Sequence, residues 1–96
     1  MSYSAIAAQE LAVRALIHIA DHPELASALL ASSGLKPEAL RQAAQEPDFC
    51  MHVLDFLLED DRRVLEFAKS MSIRPEEVLS ARIALGGPGS FGWEPD

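Results

Sequence analysis

Cysteine occurs once among the 96 residues, at Cys50. An intrachain disulfide and a cysteine-built zinc cage are therefore excluded. Positive charge is scarce too. Eight Lys and Arg stand against fifteen Asp and Glu, a formal net charge of −7. A chain of that sign repels phosphate backbones unless folding gathers its cations on one face, so nucleic-acid binding is disfavoured. No uncharged apolar run approaches the ~18 residues of a membrane span. β-branched and aromatic residues are sparse, and there is no Asn-Gly or Asp-Gly hairpin turn, so strand signals are weak. Of the five glycines only Gly34 precedes residue 86.

What remains is helical material. Hydrophobic residues make up 49% and charged residues 24%, the balance of one soluble globular domain. Ala, Leu, Glu and Arg dominate, and they lose little side-chain freedom in a helix. The apolar segment from Ala5 to Ala20 contains Gln9, Glu10 and Arg14, and no basic residue precedes it. It is thus a poor export signal. With a lone cysteine, the expected compartment is the cytoplasm.

Proline and glycine punctuate six segments. Ser4 is placed to cap a first helix reaching Ala20, in which Ile6, Val13, Leu16, Ile17 and Ala20 recur at helical spacing, widened by Leu11 and Ile19. Pro23 opens a second, to about Ser32, with Leu25, Leu29 and Leu30 inward; Gly34 suits the left-handed position that ends it. Pro37 opens a third, ending near Ala44. Pro47 opens a fourth, to about Leu58, the most apolar segment. Asp60 or Asp61 caps a fifth, reaching Met71, with Val64, Leu65, Phe67 and Ala68 for the core. Pro75 opens a sixth, to Leu85. The expected fold is all-α: a compact bundle of five to six short helices over residues 1–87, followed by a Gly/Pro-rich tail at 88–96.

The chain also resembles itself. Shifted by 38 positions without a gap, residues 10–47 lie over 48–85. Leu16 falls on Leu54, Ile19 on Leu57 and His18 on Phe56. The strongest stretch is Ser32 to Leu40 over Ser70 to Val78, with the shared pattern Ser-x-x-(Leu/Ile)-(Lys/Arg)-Pro-Glu-x-(Leu/Val). The aliphatic residue plugs the corner, Pro starts the next helix, and Glu complements its dipole. Two duplicated three-helix units are expected, with Leu35 and Ile73 equivalent and buried, and Ser72 sharing the positive φ of Gly34.

Three stretches carry a resemblance to a known family: Gly34-Leu35-Lys36-Pro37-Glu38-Ala39-Leu40-Arg41, Phe49 to Leu58, and Ser80-Ala81-Arg82-Ile83-Ala84-Leu85-Gly86-Gly87. Together they resemble a small helical domain family of unknown function, found mainly in alphaproteobacteria, over roughly residues 5–87. The resemblance implies a stand-alone bacterial helical protein. It brings no catalytic or binding residue with it.

Chemistry-bearing constellations are thin. His18 and His22 share a helix face at i, i+4, the spacing of paired metal ligands, with His52, Asp21 or Cys50 as the possible third donor. The glutamate that a zinc hydrolase uses between its histidines is missing. The simpler reading is a partly buried His18 and a surface His22, and no metal or cofactor is expected. Asp55, Glu59, Asp60 and Asp61 form an acidic corner that solvent alone explains, or that receives a basic partner surface. Cys50 reads as a small buried hydrophobe. Phe91 and Trp93, the only tryptophan, stand out in the tail as candidate partner contacts. The expected function is a small, non-enzymatic interaction or regulatory module in the cytoplasm. Its partner is a protein, a second copy being possible, and no membrane is involved. The alternatives are a DNA-associated regulator and, further off, a metal-dependent enzyme using His18, His22 and His52.

Overall fold

The computed structural model of the chain describes residues 3–86. Every regular element among them is helical: α1 (Ala5–Ala20), α2 (Pro23–Ser33), a 3₁₀ turn (Pro37–Ala39) running into α3 (Leu40–Ala43), α4 (Pro47–Leu58), α5 (Asp61–Met71) and α6 (Glu76–Gly86). The boundaries follow local chemistry. Ser4 caps α1 by accepting from the Ala7 N–H at 3.0 Å, and Asp60 caps α5 by accepting from the Arg62 N–H at 2.9 Å. Pro23 and Pro47 occupy first-turn positions, where a missing N–H costs nothing. Gly34 ends α2 at φ 76° and Ser72 ends α5 at φ 58°, both left-handed, as expected from the corner pattern they share. At the second corner the Ile73 N–H returns to the Ala68 carbonyl at 3.0 Å.

The core sits where α6 packs against both α1 and α4, and these two pack on each other. α2 folds back on α1 as a hairpin, and α5 does the same on α4. The face of α1 that enters the core is Ala8, Leu11, Ala12, Ala15, Leu16 and Ile19. This corrects the expected stripe: Ile6 and Ile17 are 74% and 59% exposed. The small alanines let α4 and α6 approach closely, and larger side chains from those helices, Leu54, Leu57 and Val78, fill the layer between. Leu65 on α5 is likewise 56% exposed instead of buried, while Val64, Phe67 and Ala68 do enter the core. Leu35 and Ile73 are both half-buried, and only Ile73 packs on the central cluster.

The elements that the 38-position shift aligns third differ. One is a 3₁₀ turn and one helical turn, and no residue of α3 is buried. The other is the eleven-residue α6, which buries Val78, Ala81 and Arg82.

Arg82 is the buried charge. Its Nε donates to Asp55 Oδ1 at 2.7 Å, linking α6 to α4, with side-chain exposures of 7% and 39%. At the other end of α6 the Tyr3 hydroxyl donates to Glu77. Burial first, then this bond, push the Tyr3 phenol up to about 12, and the same bond holds the Glu77 carboxyl below its ordinary value. The Arg82–Asp55 pair is asymmetric in burial, and that sets its response to mutation. Asp55→Ala strips a carboxylate from a buried guanidinium and is expected to cost about 2–3 kcal/mol of unfolding free energy. Arg82→Met replaces the buried charge with a side chain of similar reach and leaves Asp55 to water, so it costs less than half as much. Urea titrations of the two variants check the order.

Candidate functional site

The groove worth considering lies between the end of α2, the end of α3 and the first turns of α4. Its volume is about 360 Å³. Leu35, Ala43 and Phe49 make an apolar floor, and Glu46 and Asp48 stand on its rim. The carboxylates belong there locally, because both lie at the N-terminal end of α4, where the helix dipole favours negative charge. The lining includes no Lys or Arg.

Ser32 and His52 cross this groove. The Ser32 Oγ lies 3.0 Å from His52 Nε2, and the His52 ring stacks on Phe49 with centroids 6.1 Å apart. Asp48 is one turn before His52, so serine, histidine and aspartate line one surface. The Ser32 hydroxyl donates to the Leu29 carbonyl at 3.0 Å, and the direction of its contact with His52 Nε2 follows the tautomer of the ring. The arrangement is a clasp between α2 and α4.

A second serine lies beside a histidine, at a longer distance. Ser70, which overlies Ser32 under the 38-position shift, donates to the Phe67 carbonyl at 2.8 Å and lies 3.5 Å from His18 Nδ1. That contact joins α5 to α1. Sequence reasoning missed both clasps, although the recurrence of Ser32 and Ser70 at one repeat position was visible.

His18 and His22 do come together, with ring centroids 4.4 Å apart. Their nitrogens are committed elsewhere in part: His22 Nδ1 lies 2.7 Å from the His18 carbonyl, and His18 stacks edge-on to Phe67. His52 lies with Ser32 and Phe49 instead, and Cys50 is buried with Sγ 3.4 Å from the Ala44 carbonyl. Burial pushes the Cys50 thiol up, away from the reactive thiolate. Among the described residues no group of three His, Cys, Asp or Glu side chains is arranged to hold a metal ion. A larger cavity of about 560 Å³ adjoins His22, but its wall mixes Glu24, Asp60 and Glu66 with Arg62 and Arg63 and selects no sign of charge.

The acidic corner is largely consumed by the fold. Asp55 pairs with Arg82, Glu59 lies 3.7 Å from Arg63, and Asp60 caps α5, which leaves Asp61 in the exposed first turn. Three cations are consumed likewise. Arg63 donates to the Phe56 carbonyl and lies over its ring, Arg74 pairs with Glu77, and Arg82 is buried. Phe91 and Trp93 lie outside the described residues.

Residues 5–88 match the family described as protein of unknown function, DUF3572. The chain belongs to the DUF3572 family. No curated protein and no solved structure matches it. The DUF3572 domain thus coincides with the helical bundle, and among its described residues no helix is long and apolar enough to cross a membrane.

His18 gives this DUF3572 domain an acid-sensitive point. Its Nε2 is buried without a hydrogen-bond partner. Burial pushes the imidazole below its ordinary 6.5, His22 pushes the same way, and Glu66 and Asp21 oppose them. As pH falls through 6.5 the unfolded chain therefore binds a proton that the folded chain does not, and stability drops. His18→Phe places at this position the residue found 38 positions later, the buried Phe56. It should raise stability and flatten the loss between about pH 7 and 5. Urea midpoints across that range, for both proteins, check this.

Proposed function

We propose that this DUF3572 domain is a small non-enzymatic interaction module of the cytoplasm, and that it receives a partner protein in the α2–α4 groove. One observation carries the reading: the groove keeps an apolar floor open to solvent while its serine and histidine are spent on holding α2 to α4. An open apolar floor with a charged rim is the anatomy of a protein-binding patch. The rim charges, Glu46 and Asp48, favour a partner segment in which an apolar side chain stands beside Lys or Arg.

The groove has a natural origin if the chain is a tandem duplication of a three-helix unit. The matching left-handed corners at Gly34 and Ser72 and the paired hairpins support that origin. In the second unit the third helix is the eleven-residue α6, which packs on α1 and α4 and buries Val78 and Ala81. In the first, α3 is a single turn with no buried residue.

A photo-crosslinking residue placed at position 35 and activated in native cells tests the reading. The expected result is a discrete protein adduct that disappears when Asp48→Lys is added. Adducts that ignore the rim charge, or no adduct at all, contradict it.

A further inference from the structure

The groove's occupant can be sought among the surfaces of the chain itself. Among the described residues five large aliphatic side chains stand exposed: Ile6, Ile17, Leu65, Leu79 and Ile83. Four of them sit among the wrong neighbours for an acidic groove. Ile6 has Gln9 and Glu10 one turn on; Ile17 has Arg14 on one side and Asp21 on the other; Leu79 and Ile83 neighbour each other and Glu76. Leu65 is different. Arg62 lies three residues before it and Lys69 four residues after it, so one outer face of α5 reads Arg-Leu-Lys, flanked by Asp61 one turn before Leu65 and by Glu66 one turn after Arg62. Arg62, Leu65 and Lys69 are all exposed. Asp61 lies at the first position of the helix, where the dipole offsets its charge.

The chain's own tail is the wrong occupant by charge. Residues 87–96 carry Glu94 and Asp96 and no Lys or Arg, and would meet Glu46 and Asp48 as like charges.

We propose that the α2–α4 groove receives α5 of a second copy of this chain. Leu65 of one copy enters over the floor formed by Leu35, Ala43 and Phe49, and Arg62 and Lys69 reach Glu46 and Asp48 at the rim. The groove's volume of about 360 Å³ accommodates a leucine side chain with room for the flanking stems. The basic stems also cover apolar surface as they reach outward. Each copy carries a net charge of −7, which opposes association at long range. At physiological salt that repulsion is screened beyond about 8 Å, so the short-range complement decides. This assignment rests on the groove being a docking site and adds the identity of what docks.

Sedimentation equilibrium of the full chain, over a wide concentration range at physiological salt, tests it. The expected result is reversible self-association. Leu65→Glu and Asp48→Lys alter exposed residues and leave the bundle folded, which circular dichroism checks. Each alone should weaken association about tenfold or more. Mixed together they should associate again, because the mixture retains one intact groove and one intact α5 face. A second variant, Lys69→Glu, should lose association alone and recover part of it in combination with Asp48→Lys. A chain that stays monomeric throughout, association that survives Leu65→Glu, or a mixture no tighter than its components overturns the proposal. In that event crosslinking at position 35 separates the two claims. A rim-dependent adduct to a different protein keeps the groove as a docking site while rejecting the second copy, and no adduct rejects both.

Discussion

Seating α6 against both α1 and α4 is the constraint on which this structure rests. α6 presents Val78, Ala81, Arg82 and Leu85 on one side, the i, i+3, i+4, i+7 positions of a buried face. It fits because α1 offers alanines at 8, 12 and 15 instead of large side chains. Close approach strengthens dispersion contacts, which fall off steeply with any gap. It also forces Arg82 out of water, and Asp55 on α4 provides the carboxylate that the guanidinium then needs. Tyr3 and Glu77 tie the start of the chain to the start of the same helix. Apolar packing brings α6 in, and two polar ties set its position along α1 and α4.

The same closure is missing in the first half, and the candidate site follows from that. α3 is a single turn after a 3₁₀ turn, so α2 and α4 meet beside an open strip instead of beneath a helix. Ser32 and His52 hold the two helices together across it, and Ser70 and His18 hold α5 to α1 in a related way. The candidate site and the fold are linked through this asymmetry. One third helix completes the core, and the other is too short, leaving an acidic-rimmed apolar surface.

The helices were legible because their ends are written in local chemistry. Ser4, Pro23, Gly34, Pro47 and Asp60 fix termini without help from distant residues, and the observed bounds of α4 and α5 match the reading from them. The third element was less legible, since Pro37 opens a helix equally well whether it continues as α or 3₁₀. Burial was harder still. Large apolar residues lie around much of α1, and the expected stripe spans Ile6, Val13 and Ile17 together with Leu11, Leu16 and Ile19. α4 and α6 pack on the side that carries Leu11, Leu16, Ile19 and the alanines, which leaves Ile6 and Ile17 exposed. Leu65 failed for a related reason: three apolar neighbours on α5 suffice to hold it against α4, and nothing local marks the fourth as surplus. Nothing local marks Arg82 for burial, because its partner lies 27 positions away. The groove was not legible at all, since it is a tertiary gap between three elements. Only its ingredients, the repeated serine and the acidic start of α4, were in view.

α6 closes one side of the bundle, and the short α3 leaves the other side open. Native-state hydrogen exchange reads that difference, because protection reports the free energy needed to open each segment. At dilute protein concentration, the α6 amides should exchange as slowly as those of α1 and α4, only through global unfolding. The amides of residues 38–43 should exchange orders of magnitude faster, through local opening. Equal protection of α3 and α6 would mean that both halves are closed alike, and would contradict the open groove.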